Sequence, residues 1–267
     1  MVVGGSDTGK TTFARYLFQQ ACETGMKVAF LDGDPGQSTL GPPTTITIAL
    51  NDGSTHFPPP GRRWQRFVGS VSPKGHMLPL VVGVSRLVQA AVNAGAETVV
   101  YDTSGLVDPT QGGLALKLAL VDLLQPAAVF TIQQEDELIS FIEPLRRKKG
   151  IRLVELQPSD FVQPRDHSIR RQRRAAGFAR YFKQAGYLSI YWQQMAVFPT
   201  PRFTHNRLLA LEDKEGFTQG LGIVVESNRQ ERAVNLLTPM KSIQGVDALR
   251  LGDLKVDPVT FQHELLT

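Results

Sequence analysis

The stretch Gly4-Gly5-Ser6-Asp7-Thr8-Gly9-Lys10-Thr11-Thr12 decides the fold, because it fits the pattern G-x-x-x-x-G-K-[ST] of a phosphate-binding loop. Glycines let the main chain of such a loop approach an anion without a Cβ in the way. In this pattern Lys10 reaches the β and γ phosphates of a nucleotide, and the Thr11 hydroxyl is a ligand of Mg²⁺. The stretch therefore predicts a nucleotide site with Mg²⁺, whose contacts come from Gly4, Ser6, Asp7, Thr8, Gly9, Lys10, Thr11 and Thr12.

The residues on either side of the loop fit a strand, loop, helix order. Val2 and Val3 precede the loop and are apolar, as in a buried strand. After the loop, apolar residues recur at helical spacing: Phe13, Leu17, Phe18 and Ala21. A helix that begins at the loop points its N-terminus at a bound anion. The agreement between motif and flanks disfavours the alternative, which is a chance match in a turn rich in Gly and Thr.

Length and composition indicate an ordinary globular chain of one large domain or two. The chain has 267 residues, of which 42% are hydrophobic and 20% are charged. No apolar run reaches the roughly eighteen residues of a membrane span, and the N-terminus does not have the pattern of a signal segment. Cys22 is the only cysteine, which excludes an intrachain disulfide. We therefore expect a cytoplasmic protein without a membrane partner.

Positive charge is concentrated in one window of the chain. Residues 145–183 contain twelve Lys and Arg residues against three acids, whereas the whole chain carries a net charge of only +4. The rest of the chain is therefore net negative, so that the basic window is a local feature. Local positive charge usually meets phosphate, although a solvated helix face is the alternative.

Hydrophobic patterning predicts alternating strands and helices up to residue 156. The predicted strands are 27–32, 66–69, 97–102, 127–132 and 151–156, and the predicted helices between them are 78–94, 113–124 and 135–148. Such alternation is typical of a doubly wound parallel sheet in an α/β fold. Beyond residue 185, short apolar runs such as 188–192 and 221–225 indicate a small β-rich domain. We therefore predict two domains, 1–185 and 186–267.

Acidic residues stand at the ends of two predicted strands. Asp32 ends the strand 27–32 and Asp34 follows it, while Asp102 ends the strand 97–102. The ligand crevice of an open parallel sheet lies at the carboxyl ends of its strands. An Asp in this position commonly holds the metal and its water shell in phosphate-loop proteins. For Asp32, a role as the cap of a turn is the alternative.

A proline-rich loop at residues 51–63 leads into Arg62-Arg63-Trp64. Neighbouring arginine and tryptophan side chains can stack on bases and pair with phosphates, so this trio is a candidate contact for nucleic acid. An ordinary exposed surface is the alternative.

These motifs resemble, in order and over nearly the whole chain, the P-loop polynucleotide 5′-hydroxyl kinase family. That family includes the cleavage-complex and pre-ribosomal RNA kinases of eukaryotes and small archaeal RNA kinases. Residues 6–12 resemble its T-D-V-G-K-S-T loop, and residues 32–37 resemble its D-x-D-x-G-Q motif. Pro42 and Pro43 match the Pro-Pro that follows. The separate N-terminal domain of the eukaryotic members has no counterpart here.

Two further family motifs have counterparts in the chain. Asp102-Thr103-Ser104-Gly105-Leu106 is similar to the phosphate clasp N-T-x-G-W, with Asp in place of Asn and Leu in place of Trp. Residues 165–174, followed by Tyr181-Phe182, resemble the arginine lid R-S-x-x-x-R-R-x-x-R and its Y-F. Residues 220–224 and 237–239 resemble the start and the end of the family's C-terminal β domain.

The resemblance implies a fold, an activity and a role for each motif. The expected fold is a P-loop NTPase sheet with an arginine-rich helical lid at 160–184 and a small C-terminal β domain. The expected activity is transfer of the γ-phosphate of ATP, with Mg²⁺, to the 5′-hydroxyl end of RNA or DNA. The implied site comprises the phosphate contacts Lys10, Thr103 and Gly105, the base Asp34, the metal ligands Thr11, Asp32 and Asp102, the lid arginines Arg165 and Arg170, and the acceptor contacts Gln37, Arg171 and Arg174.

Two other functional classes stay open at this point. One is an ATP-bound scaffold of an RNA-processing complex, which the intact Lys10 and Asp34 disfavour. The other is a partitioning-type switch ATPase, whose signature lysine would fall at Gly5 and is therefore missing. The sequence leaves the choice between RNA and DNA open, because recognition of a 2′-hydroxyl depends on a few contacts that no motif marks.

Overall fold

A seven-stranded sheet formed by the first part of the chain carries the phosphate-binding loop. The structure, a computed structural model, describes residues 1–161 and 166–266. The strands of this sheet are β1 Val2–Gly4, β2 Val28–Gly33, β3 Thr45–Leu50, β4 Arg63–Phe67, β5 Thr98–Thr103, β6 Ala128–Ile132 and β7 Arg152–Leu156. They lie in the order β4-β3-β2-β5-β1-β6-β7, so that β1 is an interior strand.

Helices cover both faces of this sheet. Their bounds are α1 Lys10–Glu23, α2 Met77–Asn93, α3 Gly113–Leu124, α4 Ile139–Arg146 and α5 His167–Tyr181. On one face α1 buries Ala14, Phe18 and Cys22, which lie one helical turn apart, against Val2 and Phe30. Residues of α2, α3 and α4 form a separate apolar cluster on the opposite face. Together with the parallel pairing of β2, β5, β1, β6 and β7, this arrangement confirms the predicted doubly wound α/β class.

The antiparallel edge formed by β3 and β4 differs from the prediction. All six residues of β3 are buried, and this strand pairs antiparallel with β2 and with β4. Proline-rich segments flank β3 and favour irregular structure locally, but burial under α2 outweighs that preference. Strand β4 begins at Arg63, so that Arg63 and Trp64 lie on an edge strand and not in the preceding loop. Helix α4 is also shorter than the predicted 135–148.

The second half of the chain forms a second, mostly antiparallel sheet. Its strands are β8 Gly186–Tyr191, β9 Ala196–Phe198, β10 Arg207–Glu212, β11 Thr218–Asn228, β12 Ala233–Thr238, β13 Ala248–Val256 and β14 His263–Leu265. Their order is β14-β13-β10-β11-β12-β8, with β9 added in parallel to β13. The β-rich architecture expected after residue 185 is therefore present, while the division into two domains at that residue stays a prediction.

Helix α5 packs between the two sheets. Phe178 and Phe182 belong to an apolar cluster with Leu208 of β10 and Phe67 of β4. The Tyr181 hydroxyl accepts a hydrogen bond of 2.7 Å from the backbone N–H of Leu221 in β11. The C-terminal half of α5 is thus fixed to the second sheet, and its N-terminal half extends toward the phosphate-binding loop. Among the described helices, none is long and apolar enough to cross a membrane.

Candidate active site

The phosphate-binding loop turns tightly from β1 into α1. A Cβ on Gly4 would lie 2.5 Å from the Ile132 carbonyl oxygen, so the close approach of β1 to β6 requires glycine there. Gly9 has a φ of 87° and caps α1, which begins at Lys10. The first backbone N–H groups of a helix have no partner within that helix. They are therefore available to an anion at the loop.

Lys10 is buried in this loop, with only 6% of its surface exposed. Its ammonium group donates a hydrogen bond to the Gly5 carbonyl, which also accepts a bond of 3.1 Å from the Thr8 hydroxyl. Burial lowers the pKa of Lys10, and nearby carboxylates oppose that effect, namely those of Asp102, Asp34 and Asp7. The loop therefore holds a cation where little water screens it.

A cavity of about 580 Å³ opens in front of the loop. Its walls include loop residues 6–12, Asp34 and Gln37 from the loop after β2, and Thr103 and Gly105 from the end of β5. Arg170 and Arg173 of α5 close it from the other side. We call this cavity the cleft. Most of the predicted phosphate contacts therefore lie around one space, while Arg165 lies outside the described residues.

Asp32 and Asp34, the two carboxylates of the Asp32–Gln37 motif, differ in burial and in hydrogen-bond partners. Asp32 is 1% exposed, and its Oδ2 accepts hydrogen bonds from the Ser38 hydroxyl at 3.0 Å and from the Thr39 N–H at 2.6 Å. Burial raises the pKa of Asp32, and these loop donors oppose the effect. Asp32 thus fixes the loop, as in the turn-cap alternative. Asp34 lines the cleft, and its Oδ1 accepts from the N–H groups of Gly36 at 2.8 Å and Gln37 at 3.0 Å.

Asp102 lies beneath the loop, next to Thr11. The Thr11 hydroxyl donates to Asp102 Oδ2 at 2.7 Å, while Oδ1 is buried and has no hydrogen-bond partner among the described residues. Burial raises the pKa of Asp102 to about 7. In the described ranges, no three His, Cys, Asp or Glu side chains group closely enough to hold a metal ion. An unsatisfied carboxylate oxygen beside a hydroxyl nevertheless fits Mg²⁺, which takes few protein ligands and completes its shell with phosphates and water.

The segment after β5 is supported by a lysine that sequence patterning missed. Lys117 of α3 is fully buried, and its Nζ donates to the carbonyl of Ser104 at 2.7 Å and to its hydroxyl at 3.0 Å. Burial, with a contribution from the charge of Lys10, lowers the pKa of Lys117 to about 7. The next residue, Gly105, packs on the phosphate loop, because a Cβ there would lie 2.5 Å from the Ser6 hydroxyl. The signal available in the sequence was a single lysine in a mostly apolar helix.

The arginines of α5 point in different directions. Arg170 donates to the Asp7 carboxylate at 2.6 Å and lines the cleft. Arg171 instead donates to the Gln262 side chain at 2.8 Å, on the side of the second sheet. Arg173, for which the sequence predicted no individual role, also lines the cleft. Arg174 lies next to the cleft and not in it. The structure therefore does not bring Arg171 together with the other predicted contacts.

A second cavity, of about 500 Å³, adjoins the cleft. It lies between the loop 36–43 and α5 and shares Gln37 and Arg173 with the cleft. Its wall carries four arginines and, among the described residues, no acid; the arginines are Arg15, Arg173, Arg174 and Arg180. We call it the basic groove. Such a groove suits a polyanion that reaches the cleft from the side.

Comparisons with known proteins agree with this geometry. A family model described as the mRNA cleavage and polyadenylation factor CLP1 P-loop matches residues 4–184. The polyribonucleotide 5′-hydroxyl-kinase PH0197 of Pyrococcus horikoshii is 27% identical, over 96% of this chain and 85% of that protein. The polyribonucleotide 5′-hydroxyl-kinase MJ1315 of Methanocaldococcus jannaschii is 28% identical, over 83% of this chain and 60% of that protein.

A solved structure shows the same fold at lower identity. Clp1p, in a complex of wild-type Clp1p with Pcf11p, superposes with a TM-score of 0.69 over 95% of this chain and 73% of that one. At 15% identity this likeness concerns the fold alone. The family match covers the phosphate loop, the Asp32–Gln37 motif and the lid helix, and it confirms the resemblance found in the sequence. The chain belongs to the CLP1 P-loop family.

Proposed function

We propose that this chain is an ATP-dependent polynucleotide kinase that phosphorylates the 5′-hydroxyl end of RNA or DNA. The observation that carries the proposal is the junction of the cleft and the basic groove at Gln37 and Arg173. A phosphate donor in the cleft and a polynucleotide in the groove would meet beside Asp34. The names of the archaeal relatives, which align with 96% of this chain, support the same activity.

The phosphate loop and the end of β5 would hold ATP. Backbone N–H groups at the start of α1 suit the phosphate oxygens, and Lys10 supplies a buried positive charge. Thr103 and Gly105 line the same cleft beside the loop. These groups are fixed before the substrate arrives, so they would stabilise developing charge without reorganisation.

Asp34 is the group that we assign as general base. Its Oδ1 is held by the N–H groups of Gly36 and Gln37, which orients the carboxylate. Its Oδ2 accepts no hydrogen bond from a described residue. Oδ2 of Asp34 is therefore available to take the proton of the acceptor's 5′-hydroxyl as the hydroxyl oxygen bonds to the γ-phosphorus and the bond from that phosphorus to the β–γ bridging oxygen breaks, which releases ADP. Such proton transfer contributes roughly 10²–10⁴ to the rate.

Thr11 and Asp102 are the residues that we assign to Mg²⁺. When bound, the ion neutralises charge on the phosphate oxygens. The unpaired Oδ1 of Asp102 and the neighbouring Thr11 hydroxyl offer oxygen ligands at the base of the cleft. Asp32 is less suitable as a ligand of Mg²⁺ than the family resemblance implies, because its Oδ2 already accepts hydrogen bonds from the loop after β2.

The arginines of α5 would bind two different substrates, the phosphate donor ATP and the polynucleotide acceptor. Arg170 faces the cleft and suits the transferring phosphoryl group, while Arg173 and Arg174 suit phosphates of the acceptor in the basic groove. Because Arg171 binds Gln262, we transfer the acceptor role expected of it to Arg173. A lid over the cleft would also exclude water that would otherwise hydrolyse ATP.

The proposal is tested with γ-labelled ATP and oligonucleotides that carry either a 5′-hydroxyl or a 5′-phosphate, as RNA and as DNA. We expect label only on 5′-hydroxyl ends, and we expect no transfer by Lys10→Ala, which removes the charge at the γ-phosphate. ATP binding without transfer would instead indicate a scaffold. Hydrolysis that requires a partner protein would indicate a switch ATPase.

A further inference from the structure

A third cavity continues the basic groove on the far side of Leu40. It measures about 530 Å³ and lies between the edge strand β4 and the turn of the β10–β11 hairpin. Leu40 lines both this cavity and the basic groove, so the two spaces meet at that side chain. The Arg66 guanidinium donates to the Gly216 carbonyl and holds the hairpin beside β4. The cavity therefore has walls from both sheets.

An arginine and a tryptophan form one wall of this cavity. The guanidinium carbon of Arg62 lies 4.7 Å from the centroid of the Trp64 ring, so the cation covers the face of the indole. Arg62 is exposed, and no hydrogen bond or ion pair ties its guanidinium to a described residue. Its neighbour Arg63 differs, because its guanidinium donates to the Pro59 carbonyl at 3.0 Å. Arg62 thus presents a free planar cation to the cavity.

The opposite wall is acidic and limits how a ligand can lie. Asp213 accepts hydrogen bonds from its own hairpin, including the Phe217 N–H at 2.9 Å and the Gln219 side chain at 2.7 Å. Glu215 is exposed at the turn. These carboxylates repel phosphates, so a polynucleotide would keep its backbone on the Arg62 side. A flat base can stack on the outer face of a guanidinium, whatever its sequence.

We propose that this cavity is a distal binding site for a nucleotide of a single-stranded polynucleotide, whose 5′ end lies in the basic groove and whose base stacks on the Arg62–Trp64 pair. The direction of the strand in this inference rests on the proposed function, which places the 5′ end in the basic groove. The inference also specifies the substrate class, which is a single-stranded 5′ end long enough to extend past Leu40. The contacts with this strand would not depend on its base sequence. A duplex end would bring a second phosphate backbone against Asp213 and Glu215.

The test measures kcat and KM for 5′-hydroxyl single strands of about two to twelve nucleotides, as RNA and as DNA. For the wild type we expect KM to fall as the strand lengthens past Leu40. Arg62→Ala should raise KM for the longest strand about tenfold, leave the dinucleotide unchanged and leave kcat unchanged. Arg229→Ala, which removes an exposed arginine that lines none of the three cavities, is the matched control and should behave like the wild type. Glu215→Gln should lower KM for long strands, because it removes a repelling charge.

A binding measurement separates this inference from the proposed function. Trp64 and Trp192 are the two tryptophans of the chain, so the Trp192→Phe variant reports on Trp64 alone. We expect long strands to change its fluorescence without ATP, and Arg62→Ala to abolish the change. If no strand is phosphorylated but this signal persists, the kinase proposal fails and the distal site stands. If strands are phosphorylated with a KM that neither length nor Arg62→Ala alters, the distal site is overturned.

Discussion

The floor of the cleft and the helix above it differ in how their charged groups are held. On the floor, Lys10, Asp32 and Asp102 are buried, and their hydrogen-bond partners lie in helix α1 and in loops that follow strands of the first sheet. On α5, Arg170 and Arg171 are at least partly exposed, and their partners belong to different halves of the chain. Burial fixes the floor before a ligand binds, whereas the exposed end of α5 is free to respond to one. The comparison suggests that the floor provides the chemistry and α5 provides closure.

The different roles assigned to Asp32, at the end of β2, and to Asp34, in the loop after it, are tested by replacing each with asparagine. Asp34→Asn should lower kcat by roughly 10²–10⁴ with ATP affinity within a few fold, because it removes the base and keeps the shape. Asp32→Asn should mainly destabilise the loop after β2, since a buried acceptor of several hydrogen bonds is altered. Steady-state kinetics and thermal melting of both variants provide the measurement. A larger loss of kcat in Asp32→Asn would show that the roles are exchanged.

The cost of burying charge on the floor predicts a pH dependence of stability. Burial raises the pKa of Asp102 from 3.8 to about 7 in the folded protein, so the folded state binds this proton more tightly than the unfolded chain does. The free energy of unfolding should therefore fall as pH rises from about 4 to about 7. Asp102→Asn removes this dependence.

For protein without nucleotide and metal, we expect the stability of Asp102→Asn relative to the wild type to be greater at pH 8 than at pH 5 by a few kcal/mol. Denaturant melts of both proteins at the two pH values give the comparison. Equal stability differences at pH 5 and pH 8 would contradict the burial effect. Asp122→Asn, which changes an exposed carboxylate, is the control.

The closing role of α5 is tested by changing arginine to lysine at adjacent positions. Arg170→Lys should lower kcat at least tenfold, about 1.4 kcal/mol in the barrier, because a lysine cannot reproduce the paired hydrogen bonds of a guanidinium to phosphoryl oxygens. Arg171→Lys should be nearly silent, since this side chain binds Gln262. The resemblance implies that Arg165→Lys behaves like Arg170→Lys. Equal kcat values for the wild type and Arg170→Lys would exclude the closing role.

Substitution of Lys117 is expected to have the smallest effect of these tests. Lys117 connects helix α3 to Ser104, beside the phosphate loop. Lys117→Met should raise KM for ATP several-fold, because the Ser104–Gly105 segment loses the two bonds that hold it against the phosphate loop. The melting temperature should change little, since methionine fills a similar volume without a buried charge. Lys148→Met, at an exposed lysine paired with Asp122, is the control. A lower melting temperature with unchanged KM would indicate a purely structural lysine.

Much of the floor could be predicted from the sequence because its motifs are local. The phosphate loop, the strand ends that carry Asp34 and Asp102, and the order of strands and helices follow from spacing and periodicity. Other features depend on contacts between distant segments. Which of Asp32 and Asp34 faces the cleft depends on how residues 38–40 fold back, and the direction of Arg171 depends on Gln262.

Two features that the sequence did not predict, strand β3 and the hydrogen-bond partner of Lys117, have the same physical cause. Strand β3 is stabilised by burial between β2, β4 and α2, and not by its own flanks, which are rich in proline. Lys117 lies in a mostly apolar helix, where residue spacing does not reveal its hydrogen-bond partner, and only the packed structure brings it to Ser104. Periodicity predicts which residues are buried but not what a buried polar group binds.

The packing of α5 between the two sheets bears on how the molecule unfolds. Phe178 joins the apolar cluster of the second sheet, while Gly177, in the preceding position, lies against Pro43 of the loop beside the cleft. Cutting the chain near residue 185 would therefore leave phenylalanine side chains of α5 exposed on the first fragment. We expect the two sheets to lose their structure in one cooperative transition, so that a substitution deep in the second sheet reduces the population of molecules able to close over the cleft.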